Sequence, residues 1–319
     1  MGLKVIVNIG FDSELLPDFV ARQTQPVWVL IDGVNCAVLP EFLQRHHGIS
    51  LYKASNSITP AHAPWLLRLH ADSRLVDDLA MLPTDMHWGF LFTSAQSSDR
   101  LRTHFRRFTM MWIDGRSDLE DAPIYFRFYD PRVMIDCFEA LDPAHLASLL
   151  QPVQHLALPL SPMMGESCGI SPLAPRSAFR ERVLTIDCPA HGQEPAVTTF
   201  RISGHEFQAF GTLQRQRATR KLARELHQIH PHLPDSLILH TARLAADRAG
   251  HYGLESIRQV HLYAECMLWH GDDFDRRIPQ ARLVLMKDDM LAWRKAAALE
   301  AWFVASKTTA PTMPRHEQV

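Results

Sequence analysis

Three places in the chain combine residue types that chemistry could use. Gly165-Glu166-Ser167-Cys168-Gly169 fits G-x-S-x-G, in which a strand feeds a serine nucleophile into a strained turn at a helix N-terminus. His227-x-x-His230-x-His232, with His240 nearby, has the spacing of imidazole metal ligands. Asp32 ends an apolar run, where a catalytic carboxylate could stand. Each has a plainer reading. Pro159 and Pro162 precede the serine and Pro172 and Pro175 follow it, which leaves room for neither strand nor helix. Pro231 ends any helix between the second and third imidazoles, and only Glu225 accompanies them, so a solvated helix end accounts for the cluster. Asp32 without a positioned partner reads as a turn or cap residue. No phosphate-cradling G-x-x-x-x-G-K-[ST] or G-x-G-x-x-G occurs. The expectation is no catalytic residue, no metal and no cofactor, with a serine hydrolase using Ser167 as the rival.

A fourth feature is electrostatic. Arg217, Arg220, Lys221 and Arg224 recur at helical spacing opposite Ala218, Leu222, Leu226 and Ile229. Such a stripe is ordinarily the wet face of an amphipathic helix, and its functional reading is a docking surface for an acidic partner. No aromatic residues interleave with these charges, so nucleic acid is not the expected partner.

The elements that must position these residues fall into two kinds. Val27–Ile31 and Gly89–Thr93 are continuous apolar runs suited to strands buried on both faces, and Met110–Ile113 and Ile124–Tyr129 are further strands. Between them Leu39–His47, Leu75–Leu82 and Leu101–Phe108 carry apolar residues at helical spacing. Alternation of strands and helices predicts an α/β lobe over residues 1–158. A Pro-rich segment over 159–200 follows, whose β-like runs Val183–Ile186 and Val197–Ile202 flank Pro189-Ala190-His191-Gly192 as a small hairpin or a connector between lobes. Residues 201–307 read as a helical lobe, opened by the capping box Ser203-x-x-Glu206 and continued by helices over 236–249, 256–269 and 288–305. The tail 308–319 has no periodicity. The overall expectation is α+β in two lobes.

Composition fits that picture. The 319 residues carry 33 Lys plus Arg against 35 Asp plus Glu, which excludes a polybasic or polyacidic chain. Five scattered Cys without a C-x-x-C pair suit reduced thiols better than a disulfide framework. After Lys4 only Val5-Ile6-Val7 precede Asn8, so no signal-peptide core is expected. No apolar run approaches the ~18 residues that a bilayer crossing needs. A soluble cytoplasmic protein is the expectation.

The most informative stretch is Ile124 to Arg132. Along a strand Ile124, Phe126 and Phe128 point one way and Tyr125, Arg127 and Tyr129 the other. Asp130-Pro131 is a helix start, with a carboxylate to cap free amides and a proline whose fixed φ suits the first helical position. Asp142-Pro143 repeats the signal. Phe126-Arg127-Phe128-Tyr129-Asp130-Pro131-Arg132, with Leu141 and Pro152-Val153 downstream, resembles the signature of the type VI secretion effector chaperones, also called adaptor proteins. The likeness extends to Trp28–Gly33, Trp88–Leu91 with Ser94, Leu101–Phe108, and more weakly to Ala249–Leu254 and Phe274-Asp275. The resemblance implies a cytoplasmic protein that binds one cognate secreted effector and helps place it on the spike protein of the secretion tube. No catalytic residues carry over. Asp32, Arg127, Tyr129, Asp130, Pro131 and Arg132 are the motif or structural residues, and Arg217, Arg220, Lys221 and Arg224 the candidates for partner binding.

Overall fold

A computed structural model describes residues 12–52, 62–70, 74–114, 122–164, 169–188, 199–287 and 289–309. The segments Val5–Val7, 115–118, 165–168, 189–192 and 310–319, on which several sequence readings fall, lie outside them. The chain divides into two compact units, Met1–Gln214 and Arg215–Val319.

The first unit begins β1 (Asp12–Leu15), α1 (Leu16–Ala21), β2 (Val27–Asp32), α2 (Leu39–Arg45), β3 (Gly48–Ser50) and β4 (Pro64–Arg68). It continues α3 (Leu75–Ala80), β5 (Gly89–Thr93), α4 (Ser98–Arg106), β6 (Met110–Ile113) and β7 (Ile124–Tyr125). Then come α5 (Pro131–Ala140), α6 (Pro143–Leu150), β8 (His155–Pro159), β9 (Arg182–Asp187), β10 (Arg201–Ile202) and the start of α7 (Gly204–Ile229). Seven strands form one sheet in the order β1-β9-β8-β5-β2-β4-β3. Every pairing in it is antiparallel. β10, β6 and β7 make a smaller sheet, in which β10 runs parallel to β6.

Alternate side chains of the central strands enter two different cores. Trp28 and Leu30 of β2, Phe90 and Phe92 of β5 and Leu156 and Leu158 of β8 face one. Val27, Val29, Ile31, Leu91 and Ala157 face the other. This explains the continuous apolar runs: a strand covered on both sides needs no polar face, whatever its direction. Strands mixed with helices are as expected for this region, and the large sheet they build is antiparallel throughout. Among the described residues the anticipated hairpin is not formed. Val183–Ile186 lies in β9 within the main sheet, whereas Arg201–Ile202 pairs with β6 in the smaller one.

The second unit is helical: the remainder of α7, α8 (Asp235–Ala249), α9 (Ile257–His270), α10 (Phe274–Arg277), α11 (Pro279–Leu285) and α12 (Ala292–Thr309). Ser256 caps α9 by accepting from the Gln259 amide, and the Gln259 side chain returns the bond to the Ser256 amide. None of the described helices is long and apolar enough to cross a membrane. Cys36, Cys137, Cys188 and Cys266 form no disulfide.

Candidate functional site

The Phe126–Arg132 stretch is held from both ends. Its strand is only two residues long and stops at Tyr125, after which the chain turns inward. Phe126 and Phe128 are buried in a run of rings: Phe128 stacks on Phe105 at 5.7 Å and Phe126 on Phe200 at 5.5 Å. Tyr129 is buried too, although strand alternation would have put it on the other side, and its hydroxyl lies 3.0 Å from that of Tyr52. The turn delivers Asp130 as the N-cap of α5. Its Oδ1 accepts from the Arg132 amide at 2.9 Å, and Pro131 occupies the first turn.

The other half of the site is the carboxyl end of β2. β2 and β5 approach so closely that Gly89 holds φ +142°, and a Cβ there would lie 2.0 Å from the Leu30 carbonyl oxygen. Next to that contact the Asp32 amide donates to the Trp88 carbonyl at 2.7 Å, and the Asp32 carboxylate faces inward, fully buried. Oδ1 accepts from the Val34 amide at 3.0 Å. Oδ2 accepts from Arg127 Nη2 at 2.5 Å and from Asn35 Nδ2 at 3.2 Å. Asn35 Nδ2 also donates to the His87 carbonyl at 3.2 Å and to Asp130 Oδ2 at 3.1 Å. One amide therefore joins the end of β2, the approach to β5 and the start of α5. The blocks Trp28–Gly33 and Phe126–Arg132 meet on it through Asp32 and Asp130, and Trp88–Leu91 joins them through the bond of its Trp88 carbonyl to the Asp32 amide.

The two carboxylates are treated differently. Burial pushes Asp32 above the ordinary carboxylate range, against the pull of the Arg127 charge. Asp130 is also buried, but the hydrogen bonds and charge of Arg132 outweigh that and hold it below the ordinary range. Arg132 closes a fork on Asp130, with Nε at 3.0 Å from Oδ1 and Nη2 at 2.6 Å from Oδ2. All four carboxylate oxygens are thus engaged by donors of the chain itself, an arrangement that fixes the turn against the end of β2. Asn35 and Tyr52 are the members that sequence reasoning missed. Asn35 three residues after Asp32 at a strand end was the available signal.

The remaining sequence candidates separate. His227 faces Asp235 at 3.4 Å, His230 faces Glu265 at 2.8 Å and His240 faces Asp272 at 2.8 Å, so three imidazoles have three different carboxylates and share no centre. Around the basic stripe of α7 the buried residues are Leu222, Ala223 and Leu226, while Ala218 and Ile229 are exposed. Arg217, Arg220 and Arg224 are half-buried and each is engaged, and Lys221 alone of the four is exposed, with Glu225 at 3.9 Å. The basic stripe therefore borders the packed face and is not simply its wet opposite. Ser167 lies outside the described residues.

One constellation among the described residues has ligand atoms close enough for a cation: Asp142, His145 and Glu206. Its geometry is that of a staple. Glu206 Oε1 accepts from the Asp142 amide at 2.8 Å and lies 2.7 Å from His145 Nδ1. Oε2 accepts from the Ser203 amide at 2.7 Å and hydroxyl at 2.9 Å, completing the capping box expected from the sequence. Against the cost of its burial, these bonds hold Glu206 below its ordinary range. Asp142, expected to cap α6 with its side chain, makes no such bond.

The second unit has a polar interior of its own. Asp275, 2% exposed, accepts at Oδ2 from Tyr252 at 2.8 Å and Tyr263 at 2.7 Å. Buried Lys295 donates to the Tyr252 carbonyl at 2.9 Å. The weak sequence blocks at 249–254 and 274–275 thus meet through one hydrogen bond.

Residues 27–148, less than half of the chain, match the family described as Domain of unknown function (DUF4123). No curated protein and no solved structure matches the chain. The match runs from the first residue of β2 to within α6, and so includes both Asp32 and the Phe126–Arg132 stretch that closes over it.

Proposed function

We propose that the chain is a cytoplasmic adaptor for a type VI secretion system, holding one cognate effector and bringing it to the spike protein, without turning over a substrate. The observation that carries this reading is the match of residues 27–148 to a family known for effector adaptors and chaperones. It is supported by the site itself, whose carboxylates are committed to internal donors and whose two arginines lie a third exposed at its rim. Capture would come from buried apolar area on a flexible effector segment, less the entropy of ordering it. Charged groups would select the partner more than hold it. The test is deletion of the gene in its host, followed by quantification of every secreted effector. The reading expects one effector to vanish from the medium and to return on complementation. Loss of all effectors together, or of none, refutes it.

A further inference from the structure

The two arginines of the Phe126–Arg132 stretch look alike in sequence and differ in what they leave open. Arg132 presents Nε and Nη2 side by side to Asp130 and is closed by it. Arg127 has a single hydrogen bond, from Nη2 to Asp32. Its Nε is sealed from solvent without an acceptor, and Nη1 makes no bond among the described residues. About a third of the side chain is nevertheless exposed (34%), while its Asp32 partner is fully buried. A guanidinium fork matches a carboxylate in two parallel bonds, and one tethered at a single corner is oriented in advance. Tyr125, two residues before it, is 62% exposed. Tyrosine and arginine together are the usual makings of an interaction hot spot.

We infer that Arg127 is a carboxylate receptor: its remaining Nη hydrogens take the side chain of an Asp or Glu on the effector segment. The identity of that partner rests on the adaptor reading; the carboxylate chemistry rests on the geometry alone. Asp32 is the positioning residue, since it fixes the guanidinium from beneath without reaching the surface.

The test follows arginine Nε–H signals by NMR in the full-length 15N-labelled chain. The Arg127 signal is identified by its loss in Arg127→Lys, or by correlation to its own backbone if that variant fails to fold. Acetyl-Gly-Asp-Gly-amide should move the Arg127 signal until it saturates. Acetyl-Gly-Asn-Gly-amide and chloride of equal ionic strength should leave it in place, and the Arg132 signal should stay still throughout. An Arg127 signal that does not move, or that follows the Asn peptide or chloride equally, overturns the inference. The same signal is then read in the complex with the effector found by the deletion test. A captured effector that leaves Arg127 unmoved sinks this inference and spares the adaptor. A signal that moves with the Asp peptide in a chain that captures no effector sinks the adaptor and spares the carboxylate site.

Discussion

Removing the Asp130 carboxylate in two steps separates its two duties. Asp130→Asn keeps an oxygen for the Arg132 amide, and asparagine caps a helix about as well as aspartate. It loses the ion pair with Arg132, whose side chain is 31% exposed, so screening reduces that loss to about 1 kcal/mol. Asp130→Ala loses the pair, the cap at ~1 kcal/mol, and an acceptor of Asn35 at ~1 kcal/mol, roughly 3 kcal/mol in all. For a unit of this size each kcal/mol lowers the melting temperature by about 2–4 °C, so the alanine variant should melt ~6–12 °C early and the asparagine variant ~2–4 °C early. Calorimetry on the two variants and the parent measures both. The pH dependence adds a sign. Asp130 is held below its ordinary value of 3.8, so its contribution is complete above that value and disappears as pH falls through the lower folded-state one. The gap between parent and Asp130→Asn should accordingly close in acid. Equal losses in the two variants, or a gap that widens in acid, would falsify the account of the site.

Three further outcomes follow from contacts elsewhere. Gly89→Ala forces a methyl group against the Leu30 carbonyl at a positive φ, and should cost at least ~3 kcal/mol, read as loss of soluble protein or an early melt; a normal melt would mean that the β2–β5 approach is wrong. Glu206→Gln replaces two acceptor positions with a donor, for about 2–3 kcal/mol, whereas zinc or EDTA should leave the parent's melting curve unchanged because every oxygen of Glu206 is already bonded. Tyr263→Phe takes a buried hydroxyl from Asp275 and should cost ~1–2 kcal/mol in urea denaturation, and half-buried Tyr252→Phe less; the reverse order would show that Asp275 is held by the other phenol.

Local signals were the readable part of this chain. Asp130-Pro131, the Ser203/Glu206 box and the face Leu101–Phe105–Phe108 each state a physical requirement within one or two turns, and the structure honours them. Sheet direction was not written that way. β2 is apolar from Val27 to Ile31 because two cores sandwich it, and this erases the alternation that would have marked an antiparallel strand. The end of β7 at Tyr125 was also invisible, since Phe126–Tyr129 keep β-forming side chains while the backbone turns to bring Asp130 under Asn35. The candidate site was half legible: its charged residues stood out, but Asn35 and Tyr52 join it through contacts with partners 77 to 95 positions away. The pairing of Tyr252 with Asp275 and the separation of the imidazoles onto three carboxylates are likewise products of helix packing, which spacing alone does not encode.

The order of strands in the large sheet bears on any attempt to isolate the family-matched segment. β8, which pairs directly with β5, comes after residue 148, and β9 and β1 complete that side of the sheet from still later and earlier chain. A fragment cut to 27–148 would strip β5 of a neighbour and leave its backbone amides and carbonyls open along an apolar strand, a ready template for self-association. The smallest piece that keeps β5 paired on both sides must include β8, so the family-matched segment and the paired sheet have different ends.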